Sequence, residues 1–385
     1  MCSVNSEIFI TFIPLKVQKT MDVELQNVIA HFPQVKEIRE IESIQSGLIN
    51  RTYRIVTEWA DDYILQCINH LVFTNVELLQ HNIECVTEHI RAKLLERGEQ
   101  DVERKVLRFL PTLEGKTYHF DGAHYWRVCV YIRNSYTQTE VTPDSAYLVG
   151  LKFGEFESML ADLPEKLGET IPDFHNMEFR MTQLREAVSL DKAKRRAKVQ
   201  ALIDEIERDA DEMCRAERLY REGKLPKRIC HCDTKVSNML FDAEGKVLCI
   251  IDLDTVMPSF VFSDFGDFLR TAACTAPEDE PDVAKVHFNM DIFRAFAKGY
   301  LESAMSFLTP LEIEMLPYAV RLFPYMQAVR FLTDYLNGDS YYQIQYAEHN
   351  YVRTLAQYRL YQEVCKAEPE MCEFIKTQIN ADFRK

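Results

Sequence analysis

The sequence predicts an α+β chain of two lobes, a β-rich N-lobe followed by a mainly helical C-lobe that carries one β-hairpin. Three observations predict it. Residues 40–134 read mostly as alternating, strand-like segments. From residue 142 onward apolar side chains recur every three or four positions. One short β region, residues 229–256, interrupts that helical half. The expected organisation is an N-terminal extension over residues 1–21, read as disordered, an N-lobe over residues 22–134 and a C-lobe over residues 135–385.

The N-lobe opens with a strand at 40–46, a turn at Gly47-Leu48-Ile49-Asn50 and a second strand at 51–57 with Tyr53, Ile55 and Thr57 on one face. The Asp61-Asp62 turn leads to a third strand at 63–68. Val76, Leu79, Ile83, Val86 and Ile90 then mark one face of a helix that ends near Gly98. Two more strands are expected at 106–110 and 125–132. After a connector near 132–142, Thr142-Pro143 supplies an N-cap and a first helical residue. The charged stretch 183–223 reads as two helices with a solvated face. From residue 288 to 374 the pattern is helical again; Pro317 and Pro324 should kink or break it, and Gly338-Asp339 should end a helix.

Composition narrows the function. The 385 residues are 47% hydrophobic and 27% charged, enough apolar content for a sizeable core. A net charge of −15 argues against adsorption to nucleic acid or anionic membranes and points to a small-molecule partner. No apolar run approaches the roughly 18–20 residues that span a bilayer. Residues 8–15 are apolar but lack a basic flank and a clear cleavage site, so Met21 is an alternative start. Eleven scattered cysteines suit free thiols in a reducing, cytoplasmic setting. Cys230-His231-Cys232 has no second Cys/His pair at zinc-finger spacing.

The chemistry concentrates in residues 229–267. Two apolar strands, 239–241 and 247–251, flank a polar turn at 242–245. Asp233 and Asn238 precede the first strand and Asp252 follows the second, so the open end of the hairpin should gather all three. Oxygen ligands so gathered, Asn238 and Asp252, suit Mg²⁺, which takes few protein ligands and completes its shell with phosphate and water. His231, Asp233, Lys235 and Asn238 also fall at the offsets of the protein-kinase catalytic loop, in which Asp is the base and Asn a metal ligand. The bland alternative is a plain turn, with Asp252 ending a strand.

Other protein-kinase signatures are missing. Asp252 is followed by Leu253-Asp254-Thr255, Asp264-Phe265-Gly266 comes too late to be the metal-binding triplet, and the N-lobe holds no G-x-G-x-x-G. The arrangement instead resembles the aminoglycoside-phosphotransferase-like small-molecule kinases, which implies a protein-kinase-like fold with a catalytic β-hairpin. It also implies that Asp264 and His231 support the catalytic loop. The segments H-x-D-T-K-x-x-N, I-D-L-D-T-V-M-P, S-D-F-G-D-x-x-R-T, I-P-D-F-H-N and R-F-L-T-D-Y-L-x-G-D, with Y-I-L-Q-C-I-N at 63–69, resemble the N-acetylhexosamine 1-kinases more closely. The resemblance covers nearly everything from about residue 40 to residue 364. It implies ATP and Mg²⁺ as cofactors and transfer to the anomeric hydroxyl of an N-acetylhexosamine. Asp233 would then be the base, Lys235 would steady the transferred phosphoryl group, and Asn238 and Asp252 would hold the metal.

Two positions depart from the kinase pattern. Gln66 stands where protein kinases place the third-strand Lys, as it does in the related sequences, and Cys67 stands where those sequences often have Arg. Gly47, Asn50 and Thr52, with Gln66, are the candidates for holding nucleotide, since a turn exposes backbone N–H groups to phosphate; an ordinary hairpin turn is the alternative. For the sugar, the resemblance favours Arg330, with Tyr341, His175 and Asn176 as further candidates. Arg330 and Asp334, four apart, would otherwise read as an ion pair on a helix face. A kinase for choline, homoserine or an aminoglycoside, and a nucleotide-binding pseudokinase, remain open alternatives.

Overall fold

The structure, a computed structural model, describes residues 23–44, 49–58 and 61–382. The expected extension over residues 1–21 and the turn containing Gly47 lie outside the described residues. A short helix, α1 (Val23–Ile29), precedes strands β1 (Ile38–Ile44), β2 (Arg51–Thr57) and β3 (Tyr63–Ile68). Helix α2 (Val76–Glu96) follows, started by Asn75, whose side chain accepts from Leu78 N. Strands β4 (His119–Phe120) and β5 (Tyr125–Val130) complete an antiparallel sheet of order β1-β2-β3-β5-β4. Its register sets Thr52 opposite Gln66 and Gln66 opposite Arg127. Alternation buries Ile55, Leu65, Trp126 and Val128 against α1.

The strand expected at 106–110 does not form. That stretch joins the free edge of β5 through one bridge, Phe109 to Cys129, and the hydrogen bonds Leu110 N to Val128 O and Val130 N to Arg108 O. A 3₁₀ turn at Val102–Arg104 and Pro111, which lacks an N–H, close it off on either side.

The remainder is helical apart from four short strands. Helix α3 (Pro143–Leu160) begins with a capping box between Thr142 and Ser145. The charged stretch resolves into the end of α4 (Met177–Leu190), then α5 (Arg196–Met213) and α6 (Arg215–Arg221), one helix more than expected. Strand β6 (Arg228–Cys230) pairs with β9 (Met257–Ser259), and between them β7 (Met239–Phe241) and β8 (Val247–Ile250) form the hairpin. Tyr136, in the connector, exchanges both backbone hydrogen bonds with Phe241. Helices α7 (Phe262–Ala272), α8 (Met290–Ala304), α9 (Pro310–Glu314), α10 (Leu316–Asn337) and α11 (His349–Asp382) follow.

Helix α10 is buried along most of its length, against α4, α7 and α11. Pro317 falls in its first turn, where no N–H is needed, and Gly338 ends it at φ 94°. Pro324 does not break it, because burial on every side holds the helix through one lost hydrogen bond. The described cysteines are all free thiols, and no helix among the described residues is long and apolar enough to cross a membrane. A β-sheet N-terminal region and a helical C-terminal part with an inserted hairpin make this a two-lobed, kinase-like fold.

Candidate active site

After Cys230 the chain turns sharply, with Cys232 in the left-handed region at φ 63°. Asp264, at the start of α7, holds this turn from behind: its two oxygens accept from His231 N and Cys232 N, each at 2.7 Å. Thr234 Oγ1 donates to Asp264 O at 2.9 Å, and Thr255 Oγ1 donates to His231 O at 2.8 Å. The buried His231 ring bridges loop and hairpin. Ile251 O, 2.9 Å away, can only accept, so the ring proton belongs on Nε2 and Nδ1 accepts from Asp233 N at 3.3 Å. Beneath lies Glu157, whose carboxyl receives the Tyr300 hydroxyl. Burial first, and then the Asp264 charge, hold Glu157 well above the usual carboxylate range.

These supports aim Asp233 at the open end of the hairpin. Its Oδ2 lies 2.9 Å from Lys235 Nζ and accepts from Asn238 Nδ2 at 3.2 Å; the same amide donates to Asp233 O at 2.9 Å. Burial pulls the Lys235 ammonium down, but the Asp233 carboxylate outweighs it and holds the group above its ordinary value. Ile251 N donates to Asn238 O at 2.9 Å, which ties the two ends of the hairpin together one residue before Asp252. Asp252 adopts φ 60° and its side chain reaches solvent, though it is recessed among other groups. That recession first, and then the carboxylates of Asp254 and Asp233, push it up to about 6. A bound cation would relieve this crowding. Asn238 Oδ1, free of the amide's two donor bonds, and the Asp252 carboxylate offer hard oxygen donors, so a divalent cation such as Mg²⁺ fits the residues present.

A second cluster spans the two lobes. Asp254, 3% exposed, ion-pairs with Arg127 Nη2 at 2.6 Å and accepts from Asn50 Nδ2 at 2.6 Å. Arg127 also donates from Nε to Gln66 Oε1 at 3.0 Å and from Nη1 to Gln80 Oε1 at 3.1 Å, while Gln66 Nε2 donates to Thr52 Oγ1 at 3.3 Å. The structure therefore brings Asn50, Thr52 and Gln66 together, but around a buried arginine that sequence reasoning missed. Arg127 becomes visible only through the β3–β5 register, which sets it beside Gln66. Asn50 Oδ1 accepts from Asn69 N at 2.9 Å, so both ends of its amide are engaged. Cys67 accepts from Arg51 Nη2 at 3.2 Å.

The residues considered for the sugar side are distributed unevenly. His175 stacks on Phe174 at 4.3 Å between centroids, meets Phe323 edge-on, and places Nδ1 3.0 Å from Ser263 Oγ. Asn176 is the cap of α4: its Oδ1 accepts from Phe179 N at 3.1 Å and its Nδ2 donates to Asp173 Oδ1 at 2.7 Å. Arg330 does not pair with Asp334. It donates to Gln327 Oε1 at 3.1 Å and lies over the rings of Phe174 and Tyr342 at 5.5 and 5.7 Å. Asp334 is turned inward, accepting from the N–H groups of Ser340, Tyr341 and Tyr342 at 2.9, 2.8 and 3.0 Å and from Asn350 Nδ2 at 2.9 Å. It thereby shapes the loop that presents Tyr341, whose ring is exposed. A cavity of about 20 Å³ behind His175, edged by Glu217, Lys227 and Ser259, has room for about one water and not for a sugar.

Comparison with known proteins gives this geometry its class. The profile of the phosphotransferase enzyme family matches residues 40–298, more than half of the chain, and the chain belongs to that family. Similar solved structures include an aminoglycoside phosphotransferase from Alicyclobacillus acidocaldarius subsp. acidocaldarius, with a TM-score of 0.61 and 14% identity over 94% of this chain and 99% of that one. An amicoumacin kinase in complex with AMP-PNP, Ca²⁺ and Ami matches with a TM-score of 0.58 and 12% identity over 89% and 93%. A choline/ethanolamine kinase family protein from Mesorhizobium loti matches with a TM-score of 0.53 and 16% identity over 92% and 98%. At these identities the neighbours show a shared fold. The protein is thus a kinase-type phosphotransferase by family.

Proposed function

We propose that the protein uses Mg·ATP to phosphorylate the anomeric hydroxyl of an N-acetylhexosamine, giving the sugar 1-phosphate. The observation that carries the reading is the Asp233 carboxylate, held by Lys235 and Asn238 at the same hairpin mouth as Asp252. In the reaction Asp233 accepts the proton of the anomeric hydroxyl. The sugar oxygen then bonds to the terminal phosphorus of ATP, the bond to the bridging oxygen breaks, and ADP leaves. A hemiacetal hydroxyl is more acidic than an ordinary alcohol, so one positioned carboxylate suffices as base. Lys235 faces the charge that develops on the phosphoryl group. Asn238 and Asp252 would hold Mg²⁺, which when bound neutralises phosphate charge. The amicoumacin kinase complex with a nucleotide analogue and Ca²⁺ supports the use of nucleotide and a divalent ion.

The hexosamine rests on the motif resemblance between residues 175 and 339, supported by the Arg330 guanidinium over two rings. A cationic acceptor of the choline or aminoglycoside type is disfavoured, since the charges of Arg330, Arg180 and Arg270 all reach the His175 ring. The test is ADP release with Mg·ATP across N-acetylglucosamine, N-acetylgalactosamine, glucose, choline, homoserine and an aminoglycoside. The hexosamines should exceed the other acceptors in kcat/KM by at least about tenfold. Turnover of choline or the aminoglycoside alone would contradict the reading, and Mg·ATP binding with no turnover on any acceptor would mark a pseudokinase.

A further inference from the structure

The acceptor side holds an electrostatic imbalance that the transfer chemistry does not use. The chain carries a net charge of −15, yet Arg180 and Arg330 meet at one residue, Phe174, the first donating to its carbonyl at 2.7 Å and the second lying over its ring at 5.5 Å, and neither forms an ion pair among the described residues. Arg180 donates to Gln183 Oε1 at 2.9 Å and Phe174 O at 2.7 Å, and its Nε is enclosed without an acceptor. Arg330 spends one bond on the neutral Gln327. Tyr342, Tyr341 and then the Asp173 carboxylate act on Arg180 in the stabilising sense, and Asp173 Oδ1 is occupied by Asn176. Burial first, and then the Arg330 charge, push the Arg180 guanidinium down to about 10. Neighbouring Arg270 is treated differently, balanced by Asp267 at 3.1 Å and Glu278 at 2.7 Å. Burial first, and then the three arginines, hold His175 well below the ordinary histidine range, so its ring adds no further positive charge at neutral pH.

Two like charges folded together without a counter-charge cost stability, and such a cost persists where a ligand supplies the missing charge. The place fits an acceptor. Phe174 packs against Cys230 and Cys232 at the turn before Asp233, and His175 Nδ1 lies 3.0 Å from Ser263 Oγ, next to the Asp264 that holds that turn, so the arginine cluster and the Asp233 loop border one region. Phe174 and Tyr342 flank the Arg330 guanidinium, whose carbon lies 5.5 and 5.7 Å from their ring centroids, and Gln327 takes one of its hydrogen bonds, so it makes no pair with a carboxylate there.

We infer that Arg180 and Arg330 form an anion subsite beside the phosphorylated hydroxyl, so that the preferred acceptor is an N-acetylhexosamine bearing a carboxylate or phosphate substituent. The inference rests on the hexosamine reading for its sugar ring and on the unpaired arginines for its charge. It is tested by initial rates with N-acetylglucosamine, its 6-phosphate and N-acetylmuramic acid, whose lactyl ether carries a carboxylate; the last two separate phosphate from carboxylate. At least one acidic acceptor should exceed the neutral sugar in kcat/KM by about tenfold or more, and the advantage should shrink as salt rises. Arg180→Gln and Arg330→Gln should each collapse the acid-to-neutral ratio, and Arg180→Lys should restore part of it. A wild-type ratio of one or less overturns the inference without any variant. So does an Arg180→Gln enzyme that loses both activities in proportion, as a merely structural arginine would produce. If no hexosamine turns over, the hexosamine reading fails by itself, and calorimetry with inorganic phosphate and glucuronate decides the subsite. Binding that disappears in Arg180→Gln upholds it; no binding to wild type overturns it.

Discussion

Asp233 carries the chemical claim at the scale of a single side chain. Its oxygens are positioned by Lys235, Asn238 and the backbone that His231 and Asp264 hold, so replacing one oxygen by nitrogen leaves the scaffold in place. Asp233→Asn should keep the melting temperature within about 2 °C while turnover falls by about 10²–10⁴-fold. Wild-type rates in that variant would remove Asp233 as the base. Glu217 tests electrostatics away from the chemistry. It is 8% exposed on α6, and burial first raises it from 4.5 to about 7, against the opposing charge of Lys227. The native state therefore binds more protons than the unfolded chain between those two values. Stability falls as pH rises through that window, reaching a cost of about 3 kcal/mol above it. Glu217→Gln should be the more stable protein in urea at pH 8, with the difference shrinking toward zero near pH 4.5. Equal urea midpoints at both pH values would show that Glu217 ionises without penalty.

At the scale of elements, the helical part depends on the crossing of α3 and α8, where glycines let backbones touch. A Cβ on Gly299 would lie 2.1 Å from Tyr147 O, and one on Gly150 2.2 Å from Phe296 O. Gly→Ala inside a helix ordinarily gains up to about 1 kcal/mol. Here Gly299→Ala should instead cost about 1–3 kcal/mol in chemical denaturation, because the contact is with backbone that cannot rotate away. A variant as stable as wild type would mean that the helices separate freely. Elements with their own local signals were legible in the sequence: alternation in β2 and β3, the apolar face of α2, and the Thr142-Pro143 start of α3. The stretch 106–110 has strand-like composition but is cut short by its neighbours, and Pro324 looks like a breaker until its helix is seen buried on all sides. In both cases tertiary surroundings overrode local preference.

Over the whole molecule, the lobes meet where Asn50 and Arg127 grip Asp254, two residues beyond Asp252, so the loop that carries Asp252 is anchored to the sheet. The gathering of Asp233, Lys235 and Asn238 was readable because these groups lie within one short stretch of chain that a hairpin folds together. Arg127 was not readable, since only strand register puts it beside Gln66, and Arg180 was not, since only helix packing brings it to Arg330. The Arg330–Asp334 spacing pointed to a pair that the fold does not make, because Asp334 is needed for the loop at 340–342. The central claim, transfer to the anomeric oxygen by the Asp233 site, is tested most directly by ³¹P NMR of the product formed from Mg·ATP and N-acetylglucosamine or N-acetylgalactosamine. The account predicts a sugar phosphorus coupled to the anomeric proton, a signal that Asp233→Asn fails to produce. A phosphorus coupled to the protons of another ring carbon or of the primary alcohol, or ATP consumed with no sugar phosphate formed, would contradict it.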